Sequence, residues 1–247
     1  MSPMMLLGLT VLMVATALLS GVFGMAGGLV LIGVLLAVLP VADAMVLHAV
    51  TQMASNGWRA ALWWRYVRLR PMANYLLGAL LALLALALVN YVPSRPVALL
   101  MLGTTPFLVR LLPPRFKPDP HRLGHGLLYG AACMTLMILT GVSGPLMDSF
   151  FLGGRLERRE IVATKAACQI FSHGGKLLYF GGLVSAAGEL DPLLAALAIG
   201  ASVIGTTLAK PILEMLSDTQ YRAWATRIIT VIALYYIAQG AWEMFRA

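Results

Sequence analysis

The 247-residue chain is 60% hydrophobic and only 11% charged, with a mean hydropathy of +0.85. A soluble domain carries about a quarter charged residues, so there is too little polar surface here to cover a globular core in water. The net charge of +8 does not mark a nucleic-acid-binding protein either, because Lys and Arg fall mostly between apolar runs, as loop charges do in membrane proteins.

Backbone groups in lipid must bond internally, which leaves helices or a closed barrel. Period-two alternation is absent and Leu/Ala-rich runs dominate, so the expected class is an all-α integral membrane protein. Residues 4–20 are continuously apolar and lack a positive leader, reading as a retained first span. GVFGMAGG at 21–28 interrupts them, and apolar character resumes from Leu29 to Leu39 before Pro40. One helix over that whole length would reach about 54 Å, against a hydrocarbon core of about 30 Å. The glycines are therefore expected to break the segment or make it re-entrant. Asp43 then opens a helix expected over 44–64, edged by Trp63, Trp64, Arg65 and Tyr66 in an interfacial signature. Plain Leu/Ala-rich spans follow at 74–92 and 96–112.

PPRFKPDPHR at 113–122 is the clear linker, dividing a first transmembrane repeat (1–112) from a second (123–247). The second half repeats the plan. A span at 123–141 meets a GVSGP break, then a short apolar stretch at 146–152, an Arg-rich loop and a polar helix at 160–182. Spans at 191–209 and 220–243 complete a set of about eight transmembrane helices in two four-helix pseudo-repeats. The duplication is visible residue by residue: Gln52, Asn56 and Arg59 recur as Gln169, His173 and Lys176, and Asp43 as Glu160, each 117 residues on. Such paired, interrupted hydrophobic segments point to a substrate site between the halves. Four crossings per half would make the repeats parallel, whereas a re-entrant break would change that parity. Loop cations divide too evenly between the two sides to decide orientation.

His48, Gln52, Asn56 and Arg59 share one face of the first polar helix, at spacings of four, four and three. Lys165, Gln169, His173 and Lys176 do the same on the second, with Thr164 beside them. Imidazoles, amides and cations with few carboxylates would line a site for a small anion. The alternative is an interhelical hydrogen-bond seam whose cations snorkel to the interface. Gly24, Gly27 and Gly28 in one half, and Gly141, Gly144 and Pro145 in the other, could bring bare helix N-termini to an anion, or serve only close helix packing. Asp148 follows the second break and could pair with Lys165, cap the broken helix or carry a coupling proton. Cys133 and Cys168 read as buried apolar residues. There is no metalloprotease, P-loop or nucleophile-elbow motif and no metal-ligand spacing, so neither an enzyme nor a metal or cofactor is expected. Two function classes remain: secondary transport of a small anion, in a lipid bilayer and with protons as a possible coupling ion, or a non-transporting structural or assembly subunit. A homodimer is compatible with either.

GVFGMAGG at 21–28, GVSGPLMD at 141–148 and above all EIVATKAACQIFSHGGKLLYFG at 160–181 resemble the sulfite exporter TauE/SafE family of membrane permeases, over nearly the whole chain. The family's run of three glycines is reduced here to Gly27-Gly28, and the proline that usually follows soon after is delayed to Pro40. The resemblance implies a multi-pass transporter of a bacterial inner membrane, acting on sulfite, sulfoacetate or other small organic anions, often in export by alternating access.

Overall fold

The computed structural model describes residues 2–23, 25–111, 118–152, 156–184, 186–215 and 217–246. Most of the linker and Gly24 lie outside them. Among the described residues the chain is helical throughout, with ten α-helices and no strand. They are α1 (Pro3–Phe23), α2 (Ala26–Val38), α3 (Val41–Leu62), α4 (Leu69–Val89), α5 (Arg95–Arg110), α6 (Leu123–Thr140), α7 (Gly144–Leu152), α8 (Arg158–Leu178), α9 (Pro192–Met215) and α10 (Asp218–Arg246). A 3₁₀ turn at Trp64–Tyr66 follows α3, and a π-helical turn at Tyr179–Leu183 follows α8.

Among the described residues five helices are long and apolar enough to cross a membrane: α1, α4, α6, the Pro192–Ala209 part of α9 and the Ala223–Arg246 part of α10. Leu80, Leu81, Leu84 and Leu88 of α4 are exposed, as a face turned to lipid requires. The polar helices α3 and α8 fall short on composition. They take the interior instead, packed on each other, with α9 flanking α3 and α4 flanking α8. This is a multi-pass membrane protein.

Each half has one helix more than the expected four, because the breaks reverse the chain. Gly27 packs so closely on α1 that a Cβ there would strike the Thr16 carbonyl and Ser20. A collinear helix would hold residue 27 about 10 Å from residue 20, so α2 folds back along α1. In the second half Phe150 of α7 stacks on Tyr129 of α6 at 5.1 Å, the same reversal. Gly141 makes that turn possible with φ +82°, a conformation that favours glycine.

Hydrogen bonds set the helix directions. Ser202 donates to the Thr51 carbonyl (3.0 Å) and Ser55 bonds Thr206 (2.8 Å), so α3 and α9 run parallel. Arg68 N–H reaches Thr164 (2.9 Å), Tyr75 bonds Ser172 (3.0 Å) and Tyr179 donates to the Tyr91 carbonyl (2.8 Å), so α4 and α8 also run parallel. α5 and α10 are antiparallel, tied by Arg95–Glu243 (3.2 Å) at one end and Arg110–Thr230 (3.1 Å) at the other. Exchanging α1–α5 for α6–α10 carries this pattern onto itself. α1 against α9 becomes α6 against α4, and the pairs α3–α8 and α5–α10 return to themselves.

Candidate functional site

The two breaks meet at the centre. Gly144 lies against Met25, where a Cβ would come within 2.8 Å of the methionine's own Cβ. α3 and α8 cross beside this junction in opposite directions, which decides what faces what. His48 and Lys165 occupy equivalent places in the repeat, yet His48 meets Lys176, near the other end of α8.

His48 is fully buried, with Nε2 at 3.0 Å from the Gly28 carbonyl of the first break. A carbonyl only accepts, so Nε2 carries hydrogen and a neutral imidazole offers Nδ1 as an acceptor. Lys176 Nζ donates to that Nδ1 at 2.6 Å, and to the Gly141 carbonyl of the second break at 2.9 Å. Lys176 is itself 0% exposed, and no carboxylate pairs with it among the described residues. An ammonium has three N–H donors, and two are used. The ring of His173 stands edge-on to His48 with centroids 5.5 Å apart, its Nδ1 buried without a hydrogen-bond partner. The buried Ser143 hydroxyl beside Gly144 has none either. Gln52 flanks the same layer, its Oε1 3.4 Å from where a Cβ on Gly28 would stand. One compact cluster therefore holds both breaks, both imidazoles of the polar helices and an unneutralised lysine.

The other expected residues lie outside that contact. Asn56 turns back to donate to the Gln52 carbonyl (2.9 Å), and Arg59 donates to the Ser20 carbonyl near the end of α1 (3.3 Å). Lys165 is eleven residues from Lys176, about 16 Å along α8, and forms an ion pair with Asp148 of α7. Thr164 accepts the Arg68 backbone N–H. Gln169 is half-buried. Gly24 lies outside the described residues. Among the described residues no group of His, Cys, Asp and Glu could hold a metal ion, and both cysteines are free and buried.

The end of α8 nearest the linker is tied shut by polar contacts. Arg68 pairs with Glu160, whose carboxylate also accepts the capping N–H of Glu157. Arg159 donates to the Tyr66 hydroxyl at 3.0 Å and lies over Trp63. Towards the other end a cavity of about 480 Å³ opens among Val46, Val50, Leu177, Gly181 and Leu190. Val46 and Val50 lie across α3 from His48, so this apolar space is separate from the polar cluster.

A family model of the sulfite exporter TauE/SafE matches residues 9–236, which takes in every candidate residue above. The chain belongs to that family. TauE/SafE proteins are membrane permeases, and membership implies transport of sulfite- or sulfonate-type anions. Neither the curated proteins nor the solved structures give a match. In this TauE/SafE chain, the sequence pointed to the backbone of the breaks through its N–H groups and missed its carbonyls. The Gly28 and Gly141 carbonyls are the partners that fix His48 and Lys176, and periodicity carries no signal for a carbonyl's direction. Ser143 sat inside the quoted GVSG motif, and its place at a break was the available clue.

Proposed function

We propose that the protein is a secondary transporter of a small anion, sulfite or an organosulfonate, exporting it across a bacterial inner membrane by alternating access. The observation that carries this reading is Lys176, fully buried where the two breaks meet and without a carboxylate partner among the described residues. A buried charge is costly unless paired, so such a site is completed by an anion. His173 Nδ1 and the Ser143 hydroxyl supply further unfilled polar groups close by. The N–H groups that open α2 and α7 add positive dipole ends.

The helix directions support the mechanism. Five elements per half, alternating in direction, give two repeats of opposite topology about the central cluster, an arrangement that other secondary transporters use to expose one site to each side in turn. Gln52, Gln169, Thr164, Lys165, Asn56 and Arg59 extend along the route rather than bind together.

The test is sulfite and sulfoacetate flux into proteoliposomes holding purified wild type or Lys176→Met. Saturable flux is expected from wild type, with a loss of about 100-fold in the variant, the worth of one strong charge-assisted hydrogen bond. Absence of flux of both anions from folded wild type would favour the structural-subunit reading, which the carbonyl contacts of Arg59 and Lys176 also fit.

A further inference from the structure

We infer that His48 and Lys176 share a single proton that enters and leaves with the anion, so that the protein carries one proton with each anion it moves. This rests on the anion site proposed above and names its coupling ion.

The argument is one of donors and acceptors. Because His48 Nε2 must donate to the Gly28 carbonyl, only Nδ1 faces Lys176, and the two nitrogens are 2.6 Å apart. One hydrogen fits between them. A doubly protonated pair would set two donors against each other at that distance, so the pair carries one excess proton or none. With the proton, the cluster is a buried cation; without it, the lysine amine still donates to Nδ1 and to the Gly141 carbonyl, so both hydrogen bonds survive. The cluster thus keeps both bonds in either state, and the protonated state differs by one charge and one unused N–H.

Among the described residues nothing around it fixes that charge. α2 and the end of α6 present carbonyls, those of Gly28 and Gly141. On α10, Tyr236 donates to the Leu29 carbonyl, and on α4 Tyr75 bonds Ser172. Cys133 of α6 and Cys168 of α8 are buried thiols. The carboxylate of α7, Asp148, is occupied by Lys165, and Arg59 of α3 is turned to Ser20. His173 is the remaining titratable neighbour, edge-on to His48. An empty site therefore favours the uncharged pair, and an arriving anion favours the protonated one. Anion and proton promote each other's binding, reciprocally. The proton comes from water on the side where the anion enters, rests on Lys176 Nζ during passage, and returns to water where the anion leaves. At equal anion concentrations an acidic compartment loads the carrier and an alkaline one empties it, so export runs on the outward gradient of the anion and not on the proton.

The experiment follows sulfoacetate efflux from proteoliposomes together with internal pH, reported by an entrapped dye. Sulfoacetate suits the purpose because its groups are fully ionised near neutrality and carry no proton of their own. Wild type is expected to alkalinise the interior by about one proton per anion, and purified wild type to take up about one proton per bound sulfoacetate in weakly buffered solution. Lys176→Arg, whose cation does not discharge, is expected to bind sulfoacetate with no proton uptake, and whatever flux it retains is expected to carry no proton. Sulfoacetate movement by wild type without a pH change would overturn the coupling and leave anion transport standing. No flux and no binding of sulfoacetate or sulfite would remove the transport reading beneath it, and the coupling with it. Should Lys176→Arg fail to fold, the wild-type proton uptake on binding decides alone.

Discussion

Arg59 and Lys176 hold equivalent places in the two halves and do the same elementary job. Each sends its cation to a carbonyl at the C-terminal end of the helix that precedes its own break: Ser20 of α1 for Arg59, Gly141 after α6 for Lys176. Cations suit helix C-termini for reasons of dipole and unfilled carbonyls. Their surroundings then diverge. Arg59 is half-buried and also approaches Asn56, whereas Lys176 is sealed from solvent against an imidazole. The other equivalent pair diverges in the opposite sense, since His48 is drawn into the centre while Lys165 is neutralised by Asp148. One scaffold, used twice, has concentrated its unneutralised charge at one crossing point.

That contrast can be broken at three places, beginning with the largest effect. Gly27→Ala should destabilise the folded protein by about 2 kcal/mol or more, because its methyl would run into backbone of α1. Gly28→Ala, next to it, should shift stability by less than about 0.5 kcal/mol, since its methyl would only touch the Gln52 amide at 3.4 Å. Thermal unfolding of both variants in detergent checks the pair, and equal losses would mean that the hairpin is not packed as described. Lys165→Gln comes next. It should cost roughly 1–2 kcal/mol by leaving Asp148 unpaired, and much of that should return in the double variant with Asp148→Asn. Its anion flux should fall by far less than that of Lys176→Met; a loss as large would place Lys165 in the centre after all. Below Lys165→Gln comes Arg59→Gln, about 0.5–1 kcal/mol in the same unfolding assay, as for an ordinary cation at a helix C-terminus.

How much of this was legible beforehand follows from what periodicity encodes. The four-four-three spacing of His48, Gln52, Asn56 and Arg59 correctly gave a polar face on α3, and the matching face of α8 does pack against it. The offset of 117 residues gave equivalence between halves, but equivalence is not contact. Antiparallel crossing sets His48 against Lys176 instead of Lys165, and only the helix directions reveal this. The glycine runs announced breaks without saying whether the chain bends or turns back, since glycine permits both. The contact of Gly27 with α1 and the stacking of Phe150 on Tyr129 settle it as reversal. Asp148 with Lys165 was foreseeable from opposite charges in a setting that tolerates neither alone. The carbonyls that anchor the centre were not, because every residue has one.

The pairing of α1 with α9, and of α4 with α6, has a consequence for how the chain is made. After α1 has left the ribosome, about 170 further residues must be synthesised before its principal neighbour, α9, begins. Until then α1 and its hairpin must wait in lipid with Gly21 not yet packed on Ala209 of α9. The halves therefore interlock during biogenesis: α6 completes α4 and α9 completes α1, so neither half closes its packing alone.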